Sequence, residues 1–111
     1  MEALAAALAR AVREPIIIFK HSPTCGTSAQ ARHELSGWLA TCEAGVPAYL
    51  VDVRADRAVS TALAEHFAIR HESPQILLID RGVVRWHGSH WHVNAREVEA
   101  AIDARVAYAR V

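Results

Sequence analysis

The spacing of apolar positions changes several times along the 111 residues, and each change marks a new element. Leu4, Leu8, Ala11 and Val12 share one helical face, so Glu2 to Arg13 reads as a short amphipathic helix. Pro15 ends it by disfavouring helical geometry at Glu14. Pro15 to Lys20 is then a strand whose unbroken run Ile16-Ile17-Ile18-Phe19 suits a position covered on both faces, the habit of parallel sheets flanked by helices. From Ala29 to Cys42 the period is helical again, with Ala31, Leu35, Trp38, Leu39 and Cys42 on one stripe and Gly45 as a left-handed stop. Pro47 to Val53 reads as a second strand, parallel to the first through a right-handed crossover. Asp56 is placed to cap a helix carrying Val59, Ala62, Leu63 and Phe67. Gln75 to Ile79 and Val83 to His87 form a hairpin about Asp80-Arg81-Gly82. Asn94 with Glu97 is a capping signature for a last helix bearing Val98, Ile102 and Val106.

The resulting order is helix, strand, helix, strand, helix, strand, strand, helix. It matches the thioredoxin fold: an α/β domain with a four-stranded mixed sheet flanked by helices, here with an extra N-terminal helix. A length of 111 residues fits a single domain, 1–111, able to bury a core without staples. Apolar content of 52% with 22% charged residues excludes disorder, and 12 basic residues against 12 acidic ones give no electrostatic pull toward nucleic acid or an anionic membrane. Every basic residue except Lys20 is arginine. The apolar N-terminal stretch has Glu2 where an export signal needs positive charge, and no run approaches the ~20 apolar residues that span a bilayer. Cys25 and Cys42 are too few for a disulfide framework, so the cytoplasm is the expected compartment.

Chemistry enters at His21-Ser22-Pro23-Thr24-Cys25-Gly26-Thr27-Ser28, between the first strand and the following helix. A cysteine at a helix start meets unpaired backbone N–H groups and the positive end of the helix dipole, which favour the nucleophilic thiolate. Lys20 and His21 add to this if they face it. Ser28 occupies the place of the second cysteine in a dithiol motif, so the site has one thiol. Cys42 lies 17 residues on, roughly 25 Å along a continuous helix against the ~7 Å limit between bridged Cα atoms, so an external thiol is the expected resolver. The chemistry that follows is thiol–disulfide exchange at Cys25. An antiparallel pairing of the first and third strands brings Pro74, and with it the loop Trp86 to His92, to the same sheet edge. In thioredoxin-like proteins the proline opposite the cysteine is cis, so the same is expected of Ser73–Pro74.

His21-Ser22-Pro23-Thr24-Cys25, Val53-Arg54, His71-Glu72-Ser73-Pro74-Gln75 and Trp86-His87-Gly88-Ser89-His90-Trp91 together resemble the monothiol bacilliredoxins, the YtxJ-like proteins of the bacillithiol redox system. The resemblance implies removal of bacillithiol, or a similar low-molecular-weight thiol, from S-thiolated client proteins, with Cys25 as the catalytic nucleophile. Substrate contacts are then expected from His21, Thr24, Gly26, Thr27, Ser28, Ser73, Pro74, His90 and Trp91. The small thiol is a co-substrate, and neither a resident cofactor nor a metal is implied. One departure is Cys25-Gly26-Thr27-Ser28 where that family carries Cys-Pro-Ile-Ser, a variant similar to the Cys-Gly-Phe-Ser of monothiol glutaredoxins.

Other readings compete. Cys25 is alternatively a buried structural thiol, and Cys42 and Trp38 sit on an apolar stripe suited to core packing. His87, His90 and His92 are close enough to serve as metal ligands with Cys25, against which alternation along an extended segment turns His87 away from the other two. Arg54 can pair with carboxylates of a small thiol or remain a solvated side chain. An iron–sulfur or metal carrier, or a non-catalytic peptide-binding module with an open edge at Ser73 and Pro74, are the alternative functions.

Overall fold

In the computed structural model, residues 2–22, 33 and 46–109 are described. The β-branched run becomes β1 (Ile16–His21), in which every residue is buried. Parallel to it lies β2 (Ala48–Asp52), with Phe19 opposite Leu50 and His21 opposite Asp52. On its other side β3 (Gln75–Asp80) runs antiparallel, with Lys20 opposite Gln75. The hairpin partner β4 (Val83–Ser89) completes a mixed sheet of order β2-β1-β3-β4. Its tight turn has Arg81 at φ 55° and Gly82 at φ 75°, the left-handed pair that a two-residue hairpin demands.

Alternation along β1 divides the core in two. Ile16 and Ile18 point to one face with Leu77 and Ile79, where they meet Leu4, Ala7 and Ala11 of α1 (Glu2–Ala11) and Leu63 of α2 (Arg57–Phe67). Ile17 and Phe19 point to the other with Ile76 and Leu78, against Val98 and Ile102 of α3 (Ala95–Ala109). The architecture is the mixed α/β arrangement the sequence predicts, and among the described residues it includes three helices, one of them N-terminal. No described helix is long and apolar enough to cross a membrane.

The differences from expectation have local causes. Helix α1 stops at Ala11, two residues before the predicted end at Arg13; the Ala11 carbonyl, which Pro15 cannot serve for want of an N–H, accepts instead from Gly82 N of the hairpin turn at 3.1 Å. Asp56 occupies the N-cap of α2 but makes no side-chain cap bond; its Oδ2 instead accepts from Asp52 N at 3.2 Å. Asn94 does cap α3: its Oδ1 accepts from Glu97 N at 2.9 Å while its Nδ2 donates to Glu97 Oε2 at 2.8 Å. Strand β4 continues to Ser89, two residues beyond the predicted end at His87, because Gln75 at the start of β3 supplies a partner for Ser89. His90–His92 is a turn of 3-10 helix, so alternation does not govern those histidines and the geometric ground on which they were separated from His87 is withdrawn.

Candidate functional site

The site is built at one sheet edge. β1 leaves the sheet at His21, Pro74 leads into β3, and the register Lys20↔Gln75↔Ser89 sets the end of β4 beside both. His21, Ser73, Pro74, His90 and Trp91 are thereby brought to one end of the sheet. Thr24, Cys25, Gly26, Thr27 and Ser28, with Cys42 and Trp38, lie outside the described residues. The segment carrying them begins from the strand end at which the other five converge.

The Ser73–Pro74 peptide bond is cis, and Pro74 is buried. Pro74 O accepts from His90 N at 2.9 Å, which ties the turn after β4 to the start of β3. His90 is held at φ 54°, a left-handed conformation that a non-glycine residue adopts at a cost of about 1–2 kcal/mol. Its Nε2 lies 3.8 Å from Glu72 Oε2. The Glu72 carboxyl is held below its usual range, first by the Ser89 hydroxyl and then by the charges of His90 and Arg70. The next residue, Trp91, is 83% exposed. With Trp86, His87, His92 and Glu97 it borders an open groove of about 630 Å³.

Gly88 floors this groove. A Cβ there would stand 2.9 Å from the Trp86 ring, closer than real side chains approach, and a tight 3.1 Å from His92 Cβ, so the glycine permits the ring to lie over the strand. His92 Nδ1 lies 2.8 Å from Glu97 Oε1, and His92, then Asn94, depresses the Glu97 carboxyl. Among the described residues no group of three or more His, Cys, Asp or Glu side chains is placed to hold a metal ion.

The opposite face carries a polar cluster that sequence reasoning missed. Lys20 is 1% exposed, and its Nζ donates to Ser60 O at 3.1 Å and to His71 Nδ1 at 3.3 Å. Ser60 Oγ lies 3.1 Å from the same Nδ1. Burial lowers the Lys20 pKa, and desolvation, followed by the charge of Lys20, lowers that of His71. Beside Lys20, Gln75 is 1% exposed; its Nε2 donates to Arg70 O at 3.0 Å, and its Oε1 has no partner among the described residues. A lysine at an alternate position of an otherwise apolar strand was the available signal. His21 leaves the opposite face of β1 and stacks on Phe19 at 6.0 Å; whether either residue faces Cys25 lies outside the described residues.

The family model described as "Monothiol bacilliredoxin BrxC" matches residues 1–98. Among solved structures, the chain is similar to a thioredoxin-fold protein provisionally described as an oxidoreductase, with 25% identity, a TM-score of 0.79 and coverage of 91% of this chain and 87% of the other. Fasciola hepatica thioredoxin superposes with a TM-score of 0.72 at 16% identity, covering 93% and 91%. Thioredoxin O2 from Arabidopsis thaliana does so with 0.72 at 13% identity, covering 93% and 86%. The two thioredoxins are similar in fold.

Proposed function

The chain belongs to the monothiol bacilliredoxin family, and from that premise we propose that it is a monothiol thiol–disulfide oxidoreductase that removes bacillithiol, or a similar low-molecular-weight thiol, from protein mixed disulfides. Membership supports a redox oxidoreductase role, and the observation that carries the finer reading is a match that runs through Cys25 and the segments converging on it. The Cys25 thiolate attacks the small-thiol sulfur of the mixed disulfide. A new S–S bond joins Cys25 to the small thiol, the old one breaks, and the client leaves as a thiolate that takes up a proton. A second molecule of small thiol, as thiolate, attacks the Cys25 adduct and departs as the symmetrical disulfide, which restores Cys25.

The elements around the edge have complementary uses in this scheme. The backbone at Ser73 and Pro74 offers a strand edge to the client segment flanking the modified cysteine. Trp91, Trp86 and His90 offer ring surfaces to the side chains of that segment. Acting as a single domain in the cytoplasm, the protein needs no resident cofactor for this exchange. Mass spectrometry of the purified chain incubated with bacillithiol disulfide should find one adduct, on Cys25, and a bacillithiolated client should be reduced by the native chain but not by Cys25→Ser. Client reduction that survives in Cys25→Ser would end the proposal.

A further inference from the structure

A second concavity, of about 700 Å³, lies on the α2 face of the same sheet edge and takes no part in the scheme above. Its lining includes Arg54 from the turn after β2, Arg57, Thr61 and Glu65 along α2, and His71 from the segment leading to the cis proline. Val53, also in the lining, donates its N–H to His21 O at 2.9 Å, so the concavity adjoins the strand end from which the Cys25 segment departs.

The charges in it are unequal. Arg54 and Arg57 enter from one end, while Glu65 is the acidic side chain of the lining. Neither Asp52 nor Asp56 belongs to the lining: Asp52 Oδ1 accepts from Ala55 N and Arg54 N at 3.1 and 2.9 Å, bonds that with the charges of His21 and Arg54 hold its carboxyl low, and Asp56 Oδ2 accepts from Asp52 N at 3.2 Å. Behind the wall the buried Lys20 ammonium donates to His71 Nδ1. An ammonium has no acceptor, so Nδ1 must accept, and the neutral imidazole carries its proton on Nε2. His71 is an exposed residue, anchored at Nδ1 and lining the concavity. It therefore offers a directed neutral donor beside two guanidinium groups, which is a set suited to a carboxylate.

We infer that this concavity binds the carboxylate-bearing end of the small-thiol co-substrate, with Arg54 and Arg57 supplying charge, His71 a directional hydrogen bond, and Lys20 and Ser60 positioning His71. The inference rests on the proposed function for its ligand, but its test does not use the exchange reaction. The probe is S-methylbacillithiol, whose thioether cannot exchange and whose malyl group ends in carboxylates, titrated into the full Cys25→Ser chain and followed by amide chemical shifts. Shifts are expected at Arg54, Arg57, Thr61 and His71, and affinity should fall at least ten-fold in Arg54→Ala/Arg57→Ala and for the probe with its carboxylates esterified. Unchanged affinity in either arm, no binding, or shifts confined to Trp86–His92 would overturn it. The His71 imidazole nitrogens must also report the Nε2–H tautomer; the Nδ1–H tautomer would overturn its role as donor. Adduct formation at Cys25 without these binding effects would leave the exchange reading standing and remove this one, and the reverse result would do the opposite.

Discussion

Lys20 and His21 are adjacent in β1, yet they belong to two surfaces built on different terms. On the α2 face, Lys20, Ser60 and His71 are joined by hydrogen bonds behind a cationic concavity, and Gln75 beside them donates to Arg70 O, with Lys20 and Gln75 each 1% exposed. On the α3 face the turn after β4 presents His90, Trp91 and His92 to solvent, held by the bond from His90 N to Pro74 O and the contact of His92 with Glu97. One side fixes its polar groups in advance; the other leaves rings open. Strand alternation places Lys20 and His21 on opposite sides of β1, because successive side chains leave a strand on opposite faces. Such an edge can orient the charged part of a small ligand on one side and accept varied protein segments on the other.

The comparison breaks most severely at Lys20. Lys20→Ala removes a buried stem and the donor to His71 together, and should cost about 3 kcal/mol in denaturant unfolding. Lys20→Met keeps the stem and deletes the charge. Since an apolar isostere often replaces a buried charge at little cost, it should lose less than about 1 kcal/mol. Equal losses in the two variants would mean that packing of the stem is not what holds this face. His71 gives the same face a pH signature. Its folded-state pKa lies below the ordinary 6.5, so the unfolded chain binds more protons in that window and stability falls as pH drops below 6.5. That part of the acid loss should disappear in His71→Gln, and a superimposable pH profile would show that His71 is not held neutral.

The second break is at Gly88, under the open face. Gly88→Ala forces the Trp86 ring or the His92 turn to shift by several tenths of an ångström, an overpacking that should cost roughly 1–3 kcal/mol. Near-ultraviolet circular dichroism should report the displaced indole while the α2-face cluster keeps its His71 signals. An unchanged Trp86 signal would mean that the strand, rather than the ring, gives way.

How much of this was legible follows from what kind of information each feature uses. Periodicity located the four strands and the described helices because apolar spacing is a direct record of which side is buried, and the Asn94–Glu97 cap was readable because both partners lie within one turn. The end of α2 was less so: Ala68 adopts φ 53° with its cap N–H reaching Ala64 and Glu65 carbonyls, and no glycine announces the left-handed residue. The union of Lys20, Ser60 and His71 depends on contacts across 40 and 51 positions, for which local pattern carries no signal beyond one odd lysine in a buried strand. The edge bringing Pro74 and His90 beside His21 was deducible, since topology and direction suffice for it. The left-handed His90 was not, because it is imposed by the bond to Pro74 O.

A smaller effect is expected at Asn94. Asn94→Ala removes the cap of α3, together with its amide bonds to Glu97 and to Trp91 O, and should cost about 1 kcal/mol. Because Glu97 also holds His92, the loss should loosen the open groove and leave the α2 face unaltered. Amide exchange provides the measure: faster exchange in the first turn of α3, without change at Ser60 or His71, is the expected pattern, and loss of protection on both faces would tie the two surfaces into one cooperative unit.

The smallest change in stability is expected at the most exposed ring. Trp91 is 83% exposed, so Trp91→Ala should alter unfolding free energy by no more than about 0.5 kcal/mol. A large apolar side chain left in water contributes little to folding, and the proposed function gives this one a use in docking the client. Its removal should therefore raise the apparent KM for a thiolated client protein several-fold, while Cys25 of the variant still forms an adduct with small-thiol disulfide at the native rate. The two substrates together resolve the faces: a loss with the protein client alone assigns Trp91 to client docking, whereas an equal loss with both would place Trp91 in the path of the small thiol and erase the division of labour between the two sides of the edge.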